Sequence, residues 1–156
     1  MSDQPYIRLA TPDDAAALQA LLTRLLDAYV LLGQDAAGVA TLSTFASFDR
    51  IVARMQAGLR HHVAEHAGTL VGICALRDDG HLVMLFVDTP FQRRGLARCL
   101  WQAALADVLM RSDPARITVN ASSFAVPVYE RLGFVRLGEL EVRDGVRLAP
   151  MEFRRR

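Results

Sequence analysis

Several features that would place this chain in a particular class of protein are missing from its sequence. Its 156 residues include two cysteines, Cys74 and Cys99, which show neither a CxxC pair nor the cysteine–histidine spacing of a zinc site. We therefore expect no metal, two reduced and mostly buried thiols, and a reducing, cytoplasmic environment. Residues 1–5 lack the basic and apolar regions of a signal peptide. No apolar run approaches the roughly 20 residues that span a bilayer, so we expect no membrane association.

An excess of charge of one sign is also missing. The chain has 18 basic and 17 acidic residues and a formal net charge of +1, so no overall field draws it to nucleic acid. The terminal Arg154-Arg155-Arg156 is interpreted as a solvated chain end. Repeats, linkers and low-complexity segments are absent from the sequence. The composition, 52% hydrophobic and 22% charged residues, predicts that residues 1–156 form a single folded domain with an apolar core.

Two well-known phosphate-binding sequences are absent too. The Gly-Lys-Ser/Thr ending of a Walker loop is missing, and no segment has the three-glycine spacing of a dinucleotide-binding fold. What the sequence does contain is a succession of amphipathic and apolar segments. The first elements it predicts are a strand (Ile7–Ala10), a helix from Thr11-Pro12 to Tyr29, a loop (Gly33–Thr44), a helix (Ser47–Gln56) and three strands (His62–Glu65, Leu70–Leu76 and His81–Val87).

The second part of the chain begins with a strong helix. Apolar residues recur at helical spacing from Gly95 to Leu109, and Asp113-Pro114 ends the pattern. The remaining predicted elements are a strand (Ile117–Val119), a short helix (Pro127–Leu132) stopped by Gly133, and two closing strands (Phe134–Leu137 and Val146–Phe153) around a turn at Asp144-Gly145.

The junction between the strand His81–Val87 and the following helix carries the clearest chemical signal. The helix begins at Gly95, where unpaired backbone N–H groups and the helix dipole favour an anion. Arg93, Arg94 and Arg98 add positive charge and hydrogen-bond donors. Taken alone, the junction is equally compatible with an ordinary helix start surrounded by solvated arginines.

Two segments resemble the GNAT superfamily of acyl-CoA-dependent N-acyltransferases. Gln92 to Ala97 matches the family pattern (Q/R)-x-x-G-x-(G/A), and Ala125 to Phe134 is similar to A-x-x-x-Y-x-x-L-G-F. The order of predicted elements is also similar to that of the family along the whole chain. The resemblance implies an α+β (mixed α/β) fold. Its central twisted sheet would be mostly antiparallel, with six to seven strands, about four flanking helices and a splay between strands 4 and 5.

The resemblance also implies a site for acetyl-CoA or coenzyme A in the splay. The backbone of Leu85–Val87 would pair with the pantetheine arm, and amides from Arg93 to Arg98 would bind the pyrophosphate. Many relatives carry Asn at the position of Ser122, whereas this chain has Asn120 two residues earlier. The residues implied in coenzyme binding are Leu85, Phe86, Val87, Gln92, Arg93, Arg94, Gly95, Leu96, Ala97, Arg98, Asn120, Ser122 and Tyr129.

In this family a neutral amine attacks the thioester carbonyl directly, and a tyrosine commonly protonates the leaving sulfur. Tyr129 matches that position, although a tyrosine that only packs within a helix would give the same pattern. His81 lies where histone-type members carry a catalytic glutamate, and it is either a general base or a solvated histidine. Glu65 and Asp88 are weaker candidates. A water chain without a dedicated base is the further alternative.

The resemblance implies transfer of an acetyl group from acetyl-CoA to a primary amine of a small molecule or peptide. We expect the acceptor on the far side of the splay, lined by the apolar and aromatic segment Tyr29–Phe48. Few acidic groups lie there, which favours an apolar amine, amino acid or peptide end over a polycation. The alternative function is a non-catalytic acyl-CoA-binding regulatory module on the same fold. The apolar strand Val146–Phe153 is either a homodimer contact or an internal edge strand.

Overall fold

A computed structural model of the protein describes residues 4–154. Met1–Asp3 of the N-terminal segment and Arg155-Arg156 of the basic chain end lie outside the described residues. Numbered in chain order, the strands are β1 (Tyr6–Leu9), β2 (His61–His66), β3 (Thr69–Leu76), β4 (His81–Val87), β5 (Thr118–Ala121), β6 (Phe134–Arg136), β7 (Glu141–Arg143) and β8 (Val146–Phe153). The α-helices are α1 (Ala15–Leu25), α2 (Ala36–Phe45), α3 (Phe48–Gln56), α4 (Leu96–Arg111) and α5 (Val126–Leu132).

The strands form an open sheet in the order β1-β2-β3-β4-β5-β8-β6, and β7 pairs with β8 beside this path. Neighbouring strands are antiparallel except β4 and β5, which are parallel. The predicted mixed α+β fold with a mostly antiparallel central sheet is therefore confirmed. The described chain has eight strands and five α-helices, one strand and one helix more than the sequence predicted.

Helices cover both faces of the sheet, and each face has its own apolar core. On one face α4 and α5 pack against the strands, with Leu100, Trp101 and Ala104 buried beneath α4. On the other face α1 and α3 pack against β2, β3 and β4. Burying one large apolar side chain contributes about 1.5–3 kcal/mol, so β4 is held firmly between the two layers. This burial on both faces explains its nearly continuous apolar sequence.

The predicted loop at Gly33–Thr44 is wrong, because most of this segment forms α2. The side chain of Asp35 caps the helix by accepting a hydrogen bond from the amide of Gly38. Gly38 lies so close to the turn before β8 that an added Cβ would be 2.6 Å from the carbonyl oxygen of Gly145. Thr41 donates a hydrogen bond to the carbonyl of Asp144 in the same turn. The small and polar residues that suggested a loop therefore form a close contact between a helix and a hairpin.

The C-terminal strands also differ from the prediction. The turn at Asp144-Gly145 joins β8 to β7, a short exposed strand that the sequence pattern missed, and not to β6. Along the sheet β8 lies between β5 and β6. Val146–Phe153 is therefore an interior strand of the sheet and not an edge strand, because β5 and β6 both pair with it.

The helix α1 belongs to a longer helical stretch, Pro12–Gly33, which includes a π-helical turn at Leu26–Val30. By length and composition, this is the one helix within residues 4–154 that could cross a membrane. The leucines on its inner face are almost completely buried in the core: Leu18, Leu21, Leu22, Leu25 and Leu26. Its apolar character is thus explained by packing against the sheet.

The feature that positions the functional site is the early end of the pairing between β4 and β5. These strands pair at two positions, His81 with Thr118 and Leu82 with Val119. Beyond that point β4 continues to Val87 and β5 to Ala121 without pairing to each other. The predicted splay between strands 4 and 5 is confirmed.

Candidate active site

A cavity of about 450 Å³ opens where β4 and β5 diverge. Its walls come from the end of β4, the loop and first turn of α4, the loop after β5, α5 and the end of the long N-terminal helix. The residues that line it are Leu25, Tyr29, Val30, Leu85, Phe86, Val87, Gln92, Arg93, Gly95, Ala97, Arg98, Ser122, Phe124, Ala125, Pro127, Val128, Tyr129, Arg131 and Leu132.

The loop between β4 and α4 presents a helix N-terminus to this cavity. Arg93 and Gly95 both adopt positive φ angles, 62° and 79°, which turn the backbone just before Leu96 begins α4. A Cβ added at Gly95 would meet no atom within 4 Å, so glycine leaves open space beside the first amides of the helix. A pyrophosphate fits this arrangement, because it needs both close backbone approach and unpaired N–H donors.

Side chains of the same loop hold it in place. The side-chain amide of Gln92 donates a 2.9 Å hydrogen bond to the carbonyl of Val87 and so ties the loop to the end of β4. The guanidinium of Arg98 donates a 2.8 Å hydrogen bond to the carbonyl of Arg131 and so links α4 to α5. Gln92 and Arg98 therefore support the loop as well as lining the cavity.

Most of the residues predicted to contact the coenzyme come together here. Those that line the cavity are Leu85, Phe86, Val87, Gln92, Arg93, Gly95, Ala97, Arg98, Ser122 and Tyr129. Arg94, Leu96 and Asn120 do not line it. Leu96 is buried in the core and offers only its backbone to a ligand. The guanidinium of Arg94 lies 5.6 Å from the ring centroid of Phe91.

Of the two polar residues near the end of β5, the structure brings Ser122 to the cavity and leaves Asn120 away from it. Side chains alternate along a strand. Asn120 therefore points away from the face on which Val119 and Ala121 pack with α4 and α5. The hydroxyl oxygen of Ser122 accepts a 3.3 Å hydrogen bond from the amide of Ala125, so this side chain also supports the turn into α5.

Tyr129 is a buried cavity residue, with 5% of its surface exposed. Its ring packs edge-on against Phe134, with the ring centroids 5.4 Å apart. Burial raises the pKa of Tyr129 well above its ordinary value, and the neighbouring Cys74 adds to this effect. The phenol therefore stays protonated at neutral pH, which is the form that a proton donor requires.

His81 lies at the closed end of the β4–β5 pairing, outside the cavity. Its Nδ1 atom is 3.0 Å from the hydroxyl of Thr118, and burial lowers its pKa. At about 3.3 Å per residue, His81 lies roughly 13 Å along β4 from Leu85. The structure therefore does not bring His81 together with Tyr129.

The two weaker base candidates are also engaged elsewhere. The carboxylate of Asp88 accepts a 2.8 Å hydrogen bond from Arg24. Glu65 binds Arg8 and Tyr6 where β1 meets β2, and these hydrogen bonds lower its pKa. Neither residue lines the cavity.

An aromatic pair joins the two walls of the cavity. Tyr29, from the π-helical turn, and Phe124, from the loop after β5, stack with their ring centroids 4.5 Å apart and their planes at 20°. The Tyr29 hydroxyl is 2.6 Å from the hydroxyl of Thr89 in the β4–α4 loop. Of the segment Tyr29–Phe48 predicted to line the acceptor side, Tyr29 and Val30 reach this cavity. Phe124 was missed because a lone aromatic residue in a loop matches no motif.

The charge of the cavity is one-sided. Arg93, Arg98 and Arg131 line it, and none of the described lining residues is acidic. Sequence reasoning missed Arg131, because only the fold turns this residue of α5 toward the cavity. Such a lining suits an anionic ligand and disfavours a polycation.

Neither cysteine lines the cavity, although Cys74 is a neighbour of Tyr129. Both thiols are free, Cys74 buried and Cys99 exposed, so the predicted burial is right for Cys74 and wrong for Cys99. Within residues 4–154, no group of three or more His, Cys, Asp or Glu residues could hold a metal ion.

Comparison with known proteins places these features in context. A family model described as an acetyltransferase (GNAT) domain matches residues 31–155. No curated protein sequence matches the chain. Among solved structures, the chain is similar to a protein from Rhodopseudomonas palustris, described as a GCN5-related N-acetyltransferase and class-II aminotransferase. The two are 21% identical over 98% of this chain and 97% of that one, with a TM-score of 0.79.

Two further solved structures are similar along nearly the whole chain. One is the PaiA N-acetyltransferase of Thermoplasma acidophilum in complex with coenzyme A, 16% identical over 99% of this chain and 100% of that one, with a TM-score of 0.76. The other is a spermidine N-acetyltransferase chimera from Vibrio cholerae and hSSAT, 20% identical over 96% of this chain and 95% of that one, with a TM-score of 0.66.

Proposed function

Because the chain belongs to the GNAT acetyltransferase domain family, whose model matches residues 31–155, we propose that it is an acetyl-CoA-dependent N-acetyltransferase. It would transfer the acetyl group to a primary amine of a small molecule or peptide. The observation that supports this most directly is the cavity between the diverging strands. There the N-terminus of α4, three arginines and Tyr129 meet.

The proposed coenzyme site follows the walls of that cavity. The amides from Arg93 to Arg98 would bind the pyrophosphate at the N-terminus of α4. The edge of β4 at Leu85 and Phe86, which β5 leaves unpaired beyond Leu82, would pair with the amides of the pantetheine arm as an added strand would. The three lining arginines add positive charge where the phosphates would lie.

Acetyl-CoA supplies an acyl group activated as a thioester. As the amine nitrogen forms the new C–N bond, the C–S bond breaks, the amine loses a proton and the thiolate takes one up. We assign that last proton to the Tyr129 phenol, which burial keeps protonated. Since His81, Glu65 and Asp88 all lie outside the cavity, we assign removal of the amine proton to water.

A catalytic role for His81 is the competing prediction, and the pH profile of His81→Ala separates the two. An unshifted profile and an unchanged rate are expected if water removes the amine proton. A rate loss that follows titration of a histidine would instead support His81 as the base.

We propose an apolar amine, amino acid or peptide end as the acceptor. Leu25, Tyr29, Val30 and Phe124 give the cavity an apolar wall, and its described lining has no carboxylate to bind a second ammonium group. The polyamine named for the spermidine N-acetyltransferase neighbour would therefore be a poor acceptor here. Measuring CoA release with a panel of amines tests this. Preference for polyamines or aminoglycosides would contradict it.

The coenzyme site is tested by calorimetric titration of the full chain with acetyl-CoA. We expect micromolar binding to the wild type and its loss in Gly95→Glu, which places bulk and negative charge in the open space beside the helix N-terminus. Gly68→Glu is the matched control, because Gly68 has the same φ of 79° and a side chain there also meets no atom within 4 Å, but it lies outside the cavity. Equal binding by wild type and Gly95→Glu would overturn the proposed site.

One further outcome bears on the proposed function. Binding of acetyl-CoA without CoA release in the presence of any amine would favour a non-catalytic acyl-CoA-binding module. A cytoplasmic location is proposed from the two free thiols, which are typical of reducing compartments.

A further inference from the structure

A second cavity, of about 660 Å³, lies between α3 and the turn that joins β3 to β4. None of its lining residues is shared with the cavity between β4 and β5. We propose that this second cavity binds an oxyanion, a carboxylate or phosphate group of a small molecule, through Arg50 and Arg54. This inference is independent of the acyl-transfer chemistry.

Arg54 is a half-buried cation with little compensation. Its guanidinium lies 4.3 Å from the ring centroid of Phe45 and donates a 2.7 Å hydrogen bond to the Phe45 carbonyl. Its Nε atom is buried and has no hydrogen-bond partner. Burial and the nearby charge of Arg50 both lower the pKa of Arg54. An anion in the cavity would offset the burial of the Arg54 charge and its repulsion by Arg50.

A second arginine in the same molecule shows the contrast. Arg8 is also half-buried, and it pairs with the carboxylates of Asp14 and Glu65, each at 2.9 Å. These partners raise the pKa of Arg8. Within residues 4–154, Arg54 has no carboxylate at ion-pair distance. The fold thus gives the guanidinium of Arg8 two carboxylate partners and gives the guanidinium of Arg54 none.

The acidic groups near the cavity do not remove this imbalance, because each is already paired with another arginine. The pairs are Arg77 with Asp79 at 2.5 Å, Arg60 with Asp107 at 2.8 Å and Arg111 with Asp78 at 2.9 Å. Arg50 and Arg54 remain, one turn apart on α3, both lining the cavity. Guanidinium groups bind carboxylate and phosphate oxygens through paired N–H donors, so an oxyanion is the complementary ligand.

The test uses the Nε–Hε signals of arginine in the NMR spectrum of the ¹⁵N-labelled full chain. The Arg54 signal is assigned by its loss in Arg54→Met. The protein is titrated with sodium phosphate and, separately, with sodium citrate, while sodium chloride keeps the ionic strength constant. We expect a saturable shift of the Arg54 signal with phosphate, citrate or both, and none with sodium chloride alone. The anion that gives the tighter binding identifies the preferred group.

Variants separate a site from a general effect of salt. Arg50→Gln, an exposed substitution that should fold normally, is expected to weaken the anion affinity about fivefold. Arg136→Gln, at an exposed position at the end of β6, should leave the affinity unchanged. The shift should persist in Gly95→Glu, which blocks the other cavity. The proposal is overturned if the Arg54 signal does not shift saturably, if Arg50→Gln binds as well as wild type, or if Gly95→Glu abolishes the shift.

Discussion

Two tyrosines line the cavity between β4 and β5, and their surroundings assign them different tasks. Tyr129 is buried, and burial raises its pKa. Tyr29 is partly exposed, and its hydroxyl already lies 2.6 Å from the hydroxyl of Thr89. A proton donor needs a protonated group near the reacting atoms, whereas a structural hydroxyl needs a fixed partner. The first description fits Tyr129 and the second fits Tyr29.

This difference predicts the effect of removing each phenol. Tyr129→Phe keeps the edge-on packing against Phe134 but loses the proton donor, so kcat should fall by about 100-fold or more. The affinity for acetyl-CoA, measured by calorimetry, should change little. Tyr29→Phe is the matched control, because it removes a hydroxyl from the same cavity and should change kcat much less. Similar kcat values for Tyr129→Phe and wild type would remove Tyr129 from the mechanism.

Among the elements, α2 combines partial apolar packing, through Leu42 and Phe45, with one close backbone contact. Of its residues, only Gly38 is buried, and it lies against the turn between β7 and β8. The contact depends on the absence of a side chain, because a Cβ at Gly38 would lie 2.6 Å from a backbone carbonyl oxygen that has little room to move.

Gly38→Ala should therefore destabilise the protein. Steric overlap of this kind typically costs about 1–3 kcal/mol, to be measured as the change in the free energy of unfolding in urea. Gly33→Ala is the control, because a Cβ there meets no atom within 4 Å, and it should be neutral or slightly stabilising. If both variants had the same stability, the contact between α2 and the hairpin would contribute nothing.

A second prediction concerns the stacked rings of Tyr29 and Phe124, which join two walls of the proposed coenzyme site. We expect the coenzyme to enter between these walls, so separating them should be part of binding and release. Phe124→Ala should raise the association and dissociation rates of CoA by similar factors in stopped-flow measurements and leave Kd nearly unchanged. A large change in Kd with an unchanged association rate would show that the stack contacts the ligand instead.

At the scale of the whole molecule, the two apolar cores enclose polar groups whose ionisation affects folding. His61 and His62 on β2 are buried. The Nδ1 atom of His61 is 3.0 Å from the carbonyl oxygen of Leu59, and its Nε2 atom is buried without a partner. Burial lowers the pKa of His61 to about 4 and also lowers the pKa of His62. Both rings therefore favour the neutral form in the folded state.

The consequence is loss of stability in mild acid. An unfolded histidine takes up a proton near pH 6.5, whereas folded His61 resists protonation down to about pH 4. The contribution of His61 is therefore complete above about pH 6.5 and is lost as pH falls toward 4. From pH 7 to pH 5 this group alone should cost about 2 kcal/mol. Urea unfolding of wild type and His61→Gln at both pH values checks this, since the variant should lose less stability.

If His61→Gln and wild type lose the same stability between pH 7 and pH 5, His61 does not contribute to the acid sensitivity. Comparing each protein with itself at the two pH values removes any difference in their stability at neutral pH. The carboxylates with lowered pKa values, such as Asp14 and Glu65, titrate at lower pH than this window.

Short-range patterns in the sequence were sufficient for a large part of the structure. The apolar run of β4, the glycine before α4 and the stripe of α4 predicted a strand, a loop and a helix in the right order. These signals are readable because backbone conformation and amphipathicity depend on residues a few positions apart. The resemblance of Gln92–Ala97 and Ala125–Phe134 to one family depends on the same local segments, and the family model confirms the membership.

Other features depend on residues that are distant in the chain, and only the tertiary structure decided them. Whether Asn120 or Ser122 reaches the cavity depends on where β5 ends, since Asn120 lies within the strand and Ser122 follows it. Phe124 becomes part of the cavity because it meets Tyr29, far away in the sequence. Near Arg54, the carboxylates of Asp78 and Asp107 pair with arginines that are distant in the chain, Arg111 and Arg60. The local sequence does not predict these contacts, because packing between elements brings the groups together.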